Sequence, residues 1–315
     1  SLTLLVPPTH APERAWVWGI LLGERLGLSF RMEPWEGPCT RIQGPGPGHL
    51  DLVEGLFARP DGALLSPESL PVGVPPILET LPVAYGEAGV DLGPDGARIR
   101  ADVAGTCFFL LSRMEECIKP ERDLHGRFPS EAAWIVTHGH SLRPLVEGWA
   151  AFLEQQLRKL WPALPQAPSR SFTLRPTHDI DWPSSTRGLP PKRVLTILAK
   201  DLLWRRQPGL FTRRLASALG GKLEWDPFRS HRWIMAESER RGLRSTFYFM
   251  ACPKPGALDG PYTLDEPWAR SMVREVQAQG HEVGLHPSLV TRDDLEGLRT
   301  ECGRLSEVLG APVAG

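Results

Sequence analysis

An α/β fold in two domains is what this sequence predicts, and three observations carry the prediction. Residues 171–310 alternate short apolar strands with helical stretches, the pattern of helical crossovers between parallel strands. A Pro-rich stretch, PALPQAPS at 162–169, interrupts the chain between regular elements. The first half carries strand, helix and turn signals without that alternation. The expected organisation is a mixed α/β domain over residues 1–165 and a (β/α) domain over residues 170–315.

Taken in order, LTLLV at 2–6 suits a short strand, and Pro12 and Glu13 open a helix through 15–27 carrying Trp16, Ile20 and Leu26. Residues 28–80 mix short apolar runs with turns, and LETLPVAYG at 78–86 suits another strand. VAGTCFFLLSRMEEC at 103–117 reads as a helix with a buried middle, followed by a polar loop, RDLHGRFPSEAAW, at 122–134. The helix predicted over 143–161 lines one side with Leu145, Trp149, Phe152, Leu153 and Leu160. In the second half, SFTLRPTHDID at 171–181 is a strand with its acidic residues at the C-terminal end. A helix over 191–206 and a basic stretch, FTRRLAS, come next. A helix at 227–242 stops at Gly242 and feeds the strand STFYFMA at 244–251. A helix at 264–280, the strand HEVGLH at 281–286 and a helix at 291–310 complete the series. Thr291 and Asp294 are spaced as a capping box for that last helix, and Leu295, Leu298, Cys302, Leu305 and Leu309 supply its apolar side.

Composition narrows the function classes. The 315 residues carry a formal net charge of -1, and phosphate recognition usually leaves a basic surplus, so a dedicated nucleic-acid binder is not expected. The N-terminal SLTLLVPPTHAPERAW lacks the basic and apolar regions of a signal peptide, and runs such as WVWGILLG at 16–23 are too short to span a bilayer. The expectation is a cytoplasmic protein without a membrane span. Its five cysteines, Cys39, Cys107, Cys117, Cys252 and Cys302, form no C-x-x-C pair and read as reduced, mostly buried thiols.

The chemistry gathers at strand ends. Asp179 and Asp181 are one residue apart, so in an extended segment they share a side while Ile180 points away. Two neighbouring carboxylates repel unless a proton or cation sits between them. His286 ends another strand of the same predicted parallel sheet, and active residues in such sheets collect at the C-terminal edge. His281 and His178 are further ligand or supporting positions. Taken alone, an Asp-x-Asp pair and a lone histidine are as compatible with loop capping as with a site.

Three words in order, THDID at 177–181, STFYF at 244–248 and GHEVGLH at 280–286, resemble the metal-dependent polysaccharide deacetylase family over residues 171–310. The resemblance implies a distorted (β/α) barrel, here partial and preceded by the mixed α/β domain. It implies Asp179 as catalytic base, with Asp181 and His286 as ligands of a divalent metal, zinc above all. The reaction implied is hydrolysis of N-acetyl groups on an acetylated amino sugar or polysaccharide, with metal and backbone donors stabilising the oxyanion. GTCFFLLSRMEEC and RDLHGRFP, within 105–129, resemble an uncharacterised domain that precedes certain bacterial deacetylase-like domains in proteins linked to surface polysaccharide synthesis. Its polar signature is Arg113, Glu115, Glu116, Asp123, His125 and Arg127, residues that either lock a loop onto the buried helix or contact substrate.

The sequence departs from the deacetylase pattern in two places. Val290 stands where a second metal histidine is expected, and His281 substitutes only if the local backbone departs from the family arrangement. The family barrel also has strands after the helix at 291–310, whereas this chain ends at Gly315. A truncated, impaired enzyme with an exposed sheet edge prone to self-association is therefore expected. The alternative is a noncatalytic carbohydrate-binding or assembly protein with a degenerate deacetylase fold, marked by Trp and Tyr lining a sugar groove. A phosphate-directed metal hydrolase would instead set clustered Arg residues against the Asp pair.

Overall fold

The computed structural model describes residues 1–169, 171–219, 223–256 and 259–313. The chain divides into two compact units, 1–170 and 171–315, each with its own apolar core. Arg170 and residues 314–315, at which the sequence reading begins and ends its second domain, lie outside the described residues.

The first unit is built on a mixed sheet. Its elements begin with β1 (Leu2–Val6), whose alternate residues Leu2, Leu4 and Val6 are buried, as a half-buried strand requires. Helix α1 (Ala11–Trp18) follows, with Pro12 in its first turn, and continues as π-helical turns through Gly19–Arg25. Next come β2 (Phe30–Pro34), β3 (Cys39–Gln43) and β4 (His49–Val53). The stretch expected as one strand over 78–86 instead forms two short paired strands, β5 (Ile77–Leu78) and β6 (Leu81–Pro82). The main sheet resumes with β7 (Gly86–Gly93) and β8 (Gly96–Ala101). Its order is β2-β1-β3-β4-β8-β7, with β1–β2 and β4–β8 parallel and the other pairs antiparallel.

The predicted helix over 103–117 is broken in two. Helix α2 (Val103–Ser112) is capped by the Asp102 side chain, which accepts from Gly105 N at 2.7 Å. Arg113 then adopts a left-handed conformation, φ +53°, ending α2 before the short α3 (Glu115–Ile118). After the one-turn α4 (Trp134–Thr137), α5 (Leu145–Leu160) buries Leu145, Trp149, Phe152 and Leu153 as its periodicity requires.

The second unit is a three-stranded parallel sheet with helical connections. Strand β9 (Thr177–Ile180) leads through α6 (Pro191–Ala199), a π-helical extension Lys200–Trp204, α7 (Pro208–Ala218) and α8 (His231–Arg240). Then follow β10 (Thr246–Phe249), α9 (Pro267–Ala278), β11 (Glu282–Leu285) and α10 (Leu295–Leu309). The order is β11-β10-β9, and both pairs are parallel. The centre is apolar: Phe247 and Phe249 of β10, Val283 and Leu285 of β11, Met272, Val273 and Val276 of α9, and Leu305 and Val308 of α10 are buried.

Two local expectations change here. SFTL at 171–174 is not strand, because the neighbouring ladder starts only at Thr246, and Phe172 stays 90% exposed. No capping box forms at α10. Asp294 itself is the cap, accepting from Gly297 N at 3.0 Å, while the Thr291 hydroxyl donates to Ser288 O. Leu295 is exposed, and Val308 fills the core position beside Leu305.

The fold is thus mixed α/β with open sheets, none of them closed among the described residues. No helix among the described residues is long and apolar enough to cross a membrane.

Candidate functional site

Parallel register delivers the acidic pair and the histidine to one edge. Asp179 lies opposite Tyr248 in β10, and Phe249, the last residue of β10, pairs with both Ile180 and Leu285. Asp181 and His286 are therefore the first residues beyond two strands that end level with each other. His286 N–H donates to Phe249 O at 2.9 Å, which extends the ladder by one bond and fixes the base of its side chain. The imidazole Nε2 stands 3.5 Å from Asp181 Oδ1 and 3.7 Å from Asp179 Oδ2. The three side chains are 49%, 60% and 28% exposed for Asp181, Asp179 and His286, so the cluster opens to solvent.

The surrounding residues hold this edge in place. Tyr262 Oη donates to Ile180 O at 2.8 Å and accepts from Met250 N at 2.9 Å, bridging the ends of β9 and β10. Gly260 lies against Asp181: an added Cβ would sit 2.1 Å from Asp181 O, so only glycine fits. Asp259 accepts from Gly256 N and Leu289 N, tying together the loops that follow β10 and β11. Glu301 of α10, buried, accepts from Ser288 N at 3.1 Å and from the Ser288 hydroxyl, two residues beyond His286.

In the connection that follows β9, Asp226 is buried and takes four donors. Ser184 Oγ (2.6 Å), Ser185 N (2.9 Å), Ser217 Oγ (2.8 Å) and Phe228 N (3.0 Å) all point at its carboxylate. Burial pushes the Asp226 carboxyl up, but these bonds outweigh it and hold the group below the ordinary aspartate range. The 182–189 loop that carries Trp182 is thereby anchored.

His281 and His178 fall elsewhere. His281 precedes β11, and its Nδ1 accepts from Ser245 N at 3.0 Å, at the N-terminal end of the strands. Five residues of extended chain separate it from His286, about 16 Å, so the structure does not bring it to the carboxylates. His178 packs its ring against Phe247, 5.1 Å between centroids, and burial lowers its basicity.

The Asp181–His286 pair fits a cation in part. Asp181 Oδ1 is shut off from solvent without a hydrogen-bond partner. Two ligands of one tetrahedral ion at about 2.1 Å stand roughly 3.4 Å apart, close to the 3.5 Å between Oδ1 and Nε2. No group of three or more His, Cys, Asp and Glu among the described residues meets the requirements of a metal centre. Val290, at the position of the expected second histidine, is 65% exposed within the 3-10 turn Leu289–Asp293. The residues thus offer two ligands, with Asp179 beside them.

Beside the cluster lies a cleft of about 570 Å³ lined by Trp182, Arg193, Asp259, Tyr262, Thr263 and Glu266, among others. Sequence reasoning missed Asp226, Glu301, Asp259 and Tyr262. Each works across a long separation in sequence, and no local spacing announces that. In the first unit, the polar signature is engaged internally. Arg113 pairs with Glu116, Asp123 accepts from His125 N and Arg127, and buried Glu115 accepts from Trp134 N and Lys119 Nζ.

The model of a family of unknown function, DUF7033, matches residues 2–162, just over half of the chain. No curated protein and no solved structure matches it.

Proposed function

Because the chain belongs to DUF7033, a family of unknown function, we propose its activity from the second unit: recognition of a carbohydrate at a degenerate deacetylase-type cleft. On this reading the three-stranded sheet is part of a distorted (β/α) deacetylase barrel. The ligand is an acetylated amino sugar or polysaccharide.

The observation that carries the reading is a pairing of surfaces. Trp182, half-exposed, follows Asp181 directly and lines the cleft with Tyr262, while among the described residues the strand edge offers two metal ligands, Asp181 and His286. Aromatic faces cover the apolar face of a pyranose, and neighbouring carboxylates accept from its hydroxyls. Asp181 and His286 would hold a divalent cation, zinc above all. Such a cation polarises an amide carbonyl or orients a sugar hydroxyl. With two protein ligands it is held weakly, which favours binding over turnover.

A second reading is N-acetyl hydrolysis with Asp179 as general base. Asp179 supports it by standing 3.7 Å from His286 and largely solvated, free to take a proton from water. The proposed setting is cytoplasmic, in keeping with five free cysteines. It includes self-association through the open outer edge of β9 or β11.

The test is titration of chitotetraose, with and without zinc, followed by tryptophan fluorescence and by acetate release. Saturable binding that Trp182→Ala weakens by about tenfold or more, without acetate, is the expected result. Acetate release that Asp179→Asn abolishes would move the assignment to the hydrolytic reading. Absence of binding in every condition would reject both.

A further inference from the structure

The 182–189 loop has a second side. There a groove of about 590 Å³ runs between that loop, α6 and α7, and its wall is strongly cationic. Lys192, Arg193, Lys200, Arg205 and Arg214 all line it, and among the described residues no carboxylate does. Lys192, Thr196 and Lys200 follow at intervals of four residues and so share one side of the helix. One acid, Asp201, lies fully buried beneath and is shared by Arg214 (2.7 Å) and Arg205 (2.6 Å). A second buried acid, Asp226, accepts from the backbone of Ser185 and Phe228, and five cations against these two carboxylates still leave a local surplus in a chain of net charge -1.

Two buried polar groups face this groove with bonding capacity to spare. Ser185 is 3% exposed, and its Oγ has no hydrogen-bond partner, although its backbone N–H is taken by Asp226. Arg214 is 7% exposed, and its Nε is likewise unpartnered while its Nη1 holds Asp201. An orphaned hydroxyl and an orphaned guanidinium N–H on two residues that line a cationic groove make a donor set without an acceptor. Trp182 lines both this groove and the cleft beside Asp181, and Arg193 lies over its ring at 5.5 Å. A ligand seated on Trp182 would therefore reach both.

We propose that this groove is an oxyanion subsite, so that the carbohydrate bound by the second unit carries carboxylate or phosphate groups. The subsite rests on the carbohydrate reading for its ligand but not for its charge. The neutral part of the sugar lies on Trp182, and its anionic substituent meets Lys192, Lys200 and the inner donors Ser185 Oγ and Arg214 Nε.

The experiment compares matched ligands on the full chain by calorimetry. Neutral chitotetraose is set against a hyaluronan tetrasaccharide for the carboxylate. N-acetylglucosamine is set against its 6-phosphate for the phosphate. Binding of at least one anionic member about tenfold tighter than its neutral partner is expected, since each tenfold corresponds to a single good charge-assisted contact. The pair that shows the preference identifies the anion. Lys192→Gln with Lys200→Gln, both exposed and outside the Asp201 pair, should reduce the preference to less than threefold without altering chitotetraose affinity. In the wild-type chain, raising salt from about 50 to about 500 mM should weaken only the anionic ligands. Equal affinity for charged and neutral partners would overturn the subsite while leaving the carbohydrate reading intact. Inorganic phosphate binding as tightly as the sugar phosphate, with no chitotetraose binding, would keep the oxyanion groove and remove the carbohydrate reading. Preference for a single-stranded oligonucleotide over every sugar would overturn the proposal.

Discussion

Replacing Asp226 by alanine removes one carboxylate and leaves four donors without their acceptor: Ser184 Oγ, Ser185 N, Ser217 Oγ and Phe228 N. Hydrogen bonds to a charged group contribute about 1.5–3 kcal/mol each. They do not add, and Phe228 N is only part-buried and able to turn to water. A loss of about 3–5 kcal/mol is expected, in the range for breaking a buried charged network. Asp226→Asn keeps the shape and one acceptor and should lose about half as much. The pH dependence supplies an independent check. The folded carboxyl sits below its ordinary value of 3.8, so its stabilisation is complete above pH 3.8 and fades as pH falls through the lower folded value. The gap between wild type and Asp226→Ala should therefore be widest at pH 7 and shrink at pH 3. Urea unfolding followed by tryptophan fluorescence at both pH values measures it. A loss below about 1 kcal/mol at pH 7, or a gap that does not change with pH, would refute the network's assigned role.

Other perturbations test separate parts of the structure. Burial and the nearby Glu54 carboxylate push Asp102 up to about 6, against three backbone N–H bonds that oppose them. Between pH 3.8 and about 6 the folded chain keeps a proton that the unfolded chain releases, so this group lowers the stability of the first unit as pH rises through that window; flat unfolding midpoints from pH 4 to 7 would contradict it. Glu301→Ala strips Ser288 N of its acceptor, with an expected cost of about 2–3 kcal/mol and a shift in the His286 ring resonances, and unchanged resonances would break the link to the site. Gly260→Ala brings a methyl against Asp181 O and should destabilise by about 1–3 kcal/mol while weakening zinc uptake, as measured by elemental analysis beside Asp181→Ala; an unaltered zinc stoichiometry would show that the strand end tolerates the shift.

What could be read from the sequence was the part governed by local periodicity. Strand β1 and the buried side of α5 follow directly from the spacing of Leu2, Leu4 and Val6 and of Leu145, Trp149 and Phe152. The level ends of β9 and β11 were foreseeable too, because a strand–helix–strand rhythm implies parallel register, and this brings Asp179, Asp181 and His286 together. The failures have tertiary causes. SFTL has strand composition, but the ladder with β10 begins only at Thr177 and Thr246. The one glycine of the apolar run at 103–117 is Gly105, in the first turn of α2, and neither glycine nor proline stands near Arg113 to announce its left-handed turn. His281 belongs to the same word as His286, yet lies one strand length away from it. The cationic groove was visible only as scattered basic residues, since its walls come from α6, α7 and a loop.

The connection between β9 and β10, residues 181–245, is about twice as long as that between β10 and β11, residues 250–281. Doubling a loop adds only about 0.6 kcal/mol to the entropy of closing it. The groove-bearing helices α6 and α7 are thus a cheap embellishment in thermodynamic terms, hung between two strands whose pairing spans four residues. Kinetically the longer closure comes at a disadvantage, because β10 and β11 meet across the shorter separation. The acidic strand would then be the last to dock, and the Asp179–Asp181–His286 edge would come into being only at the end of folding.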